Sequence, residues 1–237
     1  MIESRDHGSR LLSLAVHELR TPLAVTSGYL RLLLRHFGDN LTDQQRKLVQ
    51  ESDKSCGLMA GLLDELSELA HFDEVQARSH PTPIAIGALL NEVAAGIAEG
   101  RDRGVRLAVC ALVPDVAVVA DPARLGTALG TLLTAVLRER ATTGTVVAAC
   151  HVTQREDTSR DVVIVIGDEA TADSLPATHN EPSPSFDDLR GGLGFRLVLA
   201  ARVIAALGGH MASPIATPGR LGIVVSLPAA PDSPTAA

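Results

Sequence analysis

The sequence predicts a chain of two parts, a helical hairpin followed by an α/β sandwich, within 237 residues. Three observations point there. Apolar residues recur at helical spacing over 11–37 and again over 45–72. From residue 84 onward, short β-branched runs alternate with apolar helical stretches. Between these regions stands "HFDEVQARSHPTP", which has no strong periodicity and carries two prolines, as a linker does.

In the hairpin, Leu12, Ala15, Leu19, Leu23, Leu30, Leu33, Leu34 and Phe37 form one stripe. "FGDNLTDQQ" breaks it: Gly38 ends the first helix, Thr42 caps the second, and Gln45 three residues on completes a capping box. The second helix carries Leu48, Ser52, Ser55, Met59, Leu62, Leu66 and Leu69 on one stripe. A hairpin of about 60 residues buries too little by itself, so a second copy is expected to complete a four-helix bundle, making the chain a homodimer. In the second part, helices are expected in "IAIGALLNEVAAGIAEGRDRG", in "RLGTALGTLLTAVLRER" behind an Asp121–Pro122 cap, and in "GFRLVLAARVIAAL". Strands are expected in "VRLAVCAL", "VAVVA", "TVVAACHVT", "RDVVIVIG", "HMASPIA" and "RLGIVVSLP". The divisions expected are 1–73 for the hairpin, 74–83 for the linker, 84–228 for the sandwich and 229–237 for a frayed tail.

Composition narrows the function. The formal charge is −7, aromatics are 2% and Trp is absent, so a nucleic-acid partner and base-stacking surfaces are not expected. Cys56, Cys110 and Cys150 are widely spaced and odd in number, which disfavours a disulfide scaffold or a zinc site. The first residues have no signal-peptide core and no run of about 18 apolar residues occurs, so the expectation is a cytoplasmic protein without a membrane partner.

"VHELRTPL" at 16–23 sets a polar turn inside the first apolar helix. Pro22 lacks an amide hydrogen and clashes with the carbonyl of Glu18, which predicts a bend just below His17. A neutral imidazole is a nucleophile near pH 7, and the adjacent Glu18 is placed to take its ring proton. "HELRTPL" closely resembles the phosphoacceptor box of two-component sensor histidine kinases, whose dimerisation and phosphotransfer domain is a helical hairpin. The resemblance implies that His17 is the phosphorylated histidine and Glu18 the acidic residue that activates it. It implies that Thr21 orients water when a partner is dephosphorylated, and that Pro22 is the kinking proline.

The second part resembles the same family's GHKL-type ATP-binding domain, a histidine-kinase ATPase-type α/β sandwich. "RGGLGFRLVLAARVIAALGGHM" looks like the glycine-rich box that closes on nucleotide phosphates, which implies cofactor contacts at Gly192, Leu193 and Gly194. Other boxes depart from the family. Its asparagine positions fall on Thr131 and Thr134, so the Mg²⁺ ligand is implied at Thr134, where the side chain is shorter. Gly167 stands where the adenine-accepting aspartate is expected, with Asp168 one place late and Glu169 and Thr171 in place of glycines. A one-residue slip on a strand reverses side-chain direction, so a loop would have to bring Asp168 to the base. "EPSPSFDDLRGG" leaves a short lid.

These features lead to a phosphotransfer protein with impaired or lost ATP binding. It would be loaded at His17 by a receiver domain or an upstream kinase, with ATP and Mg²⁺ as cofactors only where the nucleotide site works. The lack of a sensor or membrane segment fits an internal relay. Two alternatives stand beside it: an active soluble histidine kinase using Asp168 and a threonine-adapted metal site, and a non-enzymatic dimeric regulator of a receiver or kinase. A spore-type serine kinase ranks last, because it would not need residues 9–73.

Overall fold

The computed structural model describes residues 2–112, 115–140, 143–154, 159–174, 193–217 and 219–231, with side-chain surroundings beginning at Gly8. The chain forms two compact units, Met1–Arg78 and Ser79–Ala237.

The first unit is a hairpin of α1 (Ile2–His36) and α2 (Asp43–Ala70), with a short α3 (Phe72–Ala77) behind it. A 3₁₀ turn at Gly38–Asn40 joins α1 to α2. The capping box forms: Thr42 Oγ1 accepts from the Gln45 amide at 3.3 Å, and Gln45 Oε1 accepts from the Thr42 amide at 2.9 Å. Arg46 closes the turn by donating to the Gly38 carbonyl at 2.7 Å. Cross-links set the antiparallel register. Ser9 donates to the Ala70 carbonyl, Arg20 pairs with Asp64 at 2.6 Å, and Ser27 donates to Asp53 at 2.8 Å. α1 passes through Pro22 as one continuous helix.

The hairpin buries Val16, Cys56, Leu63, Leu69 and Phe72. On α2 the inward positions Cys56 and Leu63 sit one residue past Ser55 and Leu62 of the stripe read from sequence. That stripe is therefore mostly not the one that holds the hairpin together. Leu48, Met59 and Leu62 face outward, joined by Leu19, Val25 and Tyr29 on α1 and by Phe37 just past it.

The second unit carries β1 (Thr82–Ala85), α4 (Ile86–Gly96), β2 (Val105–Cys110), β3 (Ala117–Ala120) and α5 (Pro122–Glu139). After these come β4 (Gly144–Gln154), β5 (Arg160–Asp168), α6 (Glu169–Ser174), α7 (Arg196–Ala206), β6 (His210–Thr217) and β7 (Arg220–Pro228). The main sheet has the order β2-β4-β5-β7-β6. β2 runs parallel to β4, and the remaining pairs are antiparallel. β1 and β3 make a separate two-stranded sheet, so "VAVVA" and part of the expected linker pair with each other. Pro83 fits there because, among the described strands, β1 pairs with β3 alone and no second strand needs the missing N–H.

Asp121 caps α5 by accepting from the amides of Ala123 and Arg124 at 3.1 and 3.2 Å, with Pro122 in the first turn. Leu125, Leu129, Leu132, Leu133 and Leu137 of α5 are buried, as are Leu197 and Ile204 of α7 and Ile164, Ile166 and Ile223 of the sheet. α7 ends on Gly208, which has φ +75°, and on Gly209, where a Cβ would collide with the Ser226 carbonyl. Ala229 and Ala230, expected in a frayed tail, donate to the carbonyls of Arg160 and Ala117 at 2.8 and 2.7 Å; residues 232–237 lie outside the described residues.

Thr42→Ala should destabilise the hairpin by about 1 kcal/mol, read from the urea midpoint, because an N-terminal amide of α2 loses its acceptor.

Candidate functional site

His17, Glu18 and Thr21 lie on the α1 turn that Val16 and Arg20 hold down. Val16 is buried, and Arg20 is tied to Asp64. The His17 side chain is 79% exposed and that of Glu18 71%. Adjacent helical residues point apart, yet the Glu18 carboxylate reaches back to place Oε1 3.4 Å from His17 Nδ1. With its proton on Nδ1, the imidazole donates to Glu18 and turns the Nε2 lone pair to solvent. Thr21 is exposed one turn on from His17, on the same face of the helix. The Pro22 carbonyl accepts from Thr26 Oγ1 at 2.9 Å.

In the second unit, Asp168 is the last residue of β5. By strand alternation it shares a face with Ile164 and Ile166, whereas Gly167 shares the opposite face with Val163 and Val165. Gly167 stands where the family's aspartate is expected, and in the structure it has a packing role. A Cβ on Gly167 would stand 2.5 Å from Thr171 Cγ2, and one on Gly222 would stand 2.9 Å from the same methyl. Thr171, 1% exposed, fills the slot that these two glycines leave.

The Asp168 carboxylate is fully engaged. Arg220 donates from Nε to Oδ2 at 2.6 Å and from Nη2 to Oδ1 at 3.0 Å. Thr171 donates to Oδ1 from its amide at 2.9 Å and from its hydroxyl. Arg140 Nη1 stands 3.4 Å from Oδ2. The Arg220 guanidinium holds the Asp168 carboxyl well below the usual carboxylate range; burial opposes this, and the Thr171 bonds add to it. Arg140 and Arg220 were invisible to sequence reasoning, since they lie 28 and 52 residues away and belong to no motif.

Thr134 Oγ1 donates to the Gly130 carbonyl at 2.7 Å, a bond along its own helix. Among the described residues, no cluster of three or more His, Cys, Asp or Glu could hold a metal ion. Leu193 is buried and Gly194 has φ +60°, just ahead of the α7 N-terminus. Gly192 and the expected lid lie outside the described residues. Among the described residues here, the Asp168 carboxylate is bound on both oxygens and the Thr134 hydroxyl is bonded along its own helix.

Residues 9–75 match the family model of the His Kinase A (phospho-acceptor) domain. The first unit thus resembles the phospho-acceptor domain of two-component sensor histidine kinases. The phosphate regulon sensor protein PhoR of Pseudomonas aeruginosa is 33% identical over 94 residues, which cover 38% of this chain and 21% of that protein. The chain thus spans about a fifth of that curated relative's length. Full-length ShkA in complex with AMPPNP is similar in structure, with a TM-score of 0.67 at 20% identity over 94% of this chain and 46% of that one. The histidine kinase AdeS of Acinetobacter baumannii has a TM-score of 0.57 at 18% identity, covering 90% of this chain and 97% of its own. These likenesses establish a helical region followed by an α/β sheet domain of histidine-kinase fold. Among the described residues, no helix is long and apolar enough to cross a membrane.

A group whose folded pKa is depressed stabilises above its ordinary value, and that stability is lost as pH falls through the depressed one. Asp168→Asn should therefore lower the Tm of the second unit at neutral pH by about 5 °C. The variant should also lack the part of the acid destabilisation that develops in wild type below about pH 4. An equal Tm difference at pH 7 and at pH 2 would contradict this account.

Proposed function

We propose that the chain is a dimeric histidine phosphotransfer protein of two-component signalling. In this reading His17 exchanges a phosphoryl group with the aspartate of a receiver domain, and the adjoining nucleotide site is impaired. The observation that carries it is the solvent-facing His17 ring whose Nδ1 lies against Glu18.

The step balances without a nucleotide. The Nε2 lone pair attacks the phosphorus of an aspartyl phosphate, an N–P bond forms, the P–O bond breaks, and the aspartate leaves as a carboxylate. Positive charge on the ring is neutralised as the Nδ1 proton shifts toward Glu18. The reverse step returns the phosphoryl group. Thr21, on the same face, would orient water for hydrolysis. A rigid helix presents Nε2 for in-line approach with no loop to rearrange.

Two features support the remaining parts of the reading. Leu48, Met59 and Leu62 on α2, with Leu19 and Tyr29 on α1, leave an apolar surface that a second hairpin would cover as a four-helix bundle. In the sandwich, Arg220 fills the Asp168 carboxylate and Thr134 spends its hydroxyl proton on its own helix. Those contacts favour weak Mg-ATP binding over the active-kinase alternative.

Leu62→Lys should convert a dimer of about twice the 24.8 kDa chain mass to monomer in light scattering. A wild-type monomer at micromolar concentration would remove the bundle from the reading. Incubated with phosphorylated receiver domains, the chain should take up acid-labile, base-stable label that vanishes in His17→Ala. Glu18→Gln should slow transfer about a hundredfold while leaving the assembly intact. Tight receiver binding with no label from any receiver or kinase would instead favour the non-enzymatic regulator.

A further inference from the structure

We infer that Arg220 is the specificity-determining residue of the second unit's carboxylate site: its guanidinium stands in for a nucleobase amino group on Asp168 and shuts adenine out. The inference rests on the reading of Asp168 as the base acceptor and names the group that closes it. A carboxylate offers about four acceptor positions. Arg220, Thr171 and Arg140 direct five donors at the two oxygens of Asp168, and the Arg220 contacts form a fork at 2.6 and 3.0 Å. An adenine amino group is a neutral donor. To reach either oxygen it must replace a charge-assisted bond by a weaker one, which is uphill.

The surroundings remove the two ways out. Asp168 cannot turn aside, because Thr171 holds Oδ1 and is itself wedged over Gly167 and Gly222. Arg220 does not sit on a free loop: it opens β7 and is paired with Thr217 of β6. The Arg220 side chain is 46% exposed and that of Asp168 16%, so the guanidinium is the more accessible member of the pair. An ion pair that merely stabilised the fold would leave ligand binding unchanged when broken. One that competes with a base would trade stability for affinity.

The test is an NMR titration of the full chain with Mg-ATP into the millimolar range. Wild type should bind weakly, Arg220→Ala should bind about tenfold more tightly, and Arg220→Ala with Asp168→Asn should lose that gain. A folded Arg220→Ala no tighter than wild type overturns the inference and leaves the impaired-ATP reading standing. Micromolar binding by wild type overturns that reading and the inference with it. Arg220→Gln, which keeps most of the side chain's reach without its charge, serves if the alanine variant fails to fold. The wild-type Arg220 Nε–H signal gives an independent readout. It should move as ATP competes for Asp168, and an unmoved signal beside shifted amides of residues 168–171 would also sink the proposal.

Discussion

Everything in the second unit hangs on the burial of α5 against the sheet. With aromatics at 2% and no Trp, no single large ring organises this core. Leu125, Leu129, Leu132 and Leu133 must pack by shape against Ile164, Ile166 and Ile223, and all are sealed from solvent. Such a core tolerates little sliding, because each branched side chain sits among neighbours of similar size. The rotation of α5 is thereby fixed, and with it the positions of Thr134 and of Arg140 at the helix end. The polar residues here are arranged by an apolar constraint.

The two candidate sites treat charge in opposite ways. His17 and Glu18 meet at 3.4 Å with both side chains mostly in water, where attraction is weak and the groups stay free to react. Asp168 is largely enclosed and bound on both oxygens, which makes it a strong tie. One carboxylate orients a neighbour, whereas the other anchors three segments of chain.

Local signals were legible in the sequence. The capping box at Thr42 and Gln45, the Asp121–Pro122 start of α5, and the Gly208–Gly209 end of α7 each depend on residues a few positions apart. The phospho-acceptor domain was equally plain, because the box that points to it lies within seven consecutive residues. What escaped was set by distance or by geometry that periodicity does not encode. α2 carries apolar side chains on adjoining stripes, and only packing against α1 selects Cys56 and Leu63 as the inward ones. That Gly167 is held to glycine by the bulk of Thr171 depends on packing that no motif records. Arg220 could not be paired with Asp168 before β5 and β7 were known to be neighbours.

The last described residues carry a consequence for how the second unit bears mechanical load. Past the end of β7, the Ala229 amide is bound to Arg160 on β5 and the Ala230 amide to Ala117 on β3. Two successive peptide groups thus rivet the large sheet to the small one, and Ala229 bridges directly to Val118. A pull applied past Ala230 would load these two bonds first and pass to β5 at Arg160 and to β3 at Ala117. The small sheet includes β1, the first strand of the unit, so the rivet lies close to where the chain enters the sandwich as well as where it leaves. Tension at that end of the unit would thus enter β5 at Arg160, the end of the strand opposite Asp168.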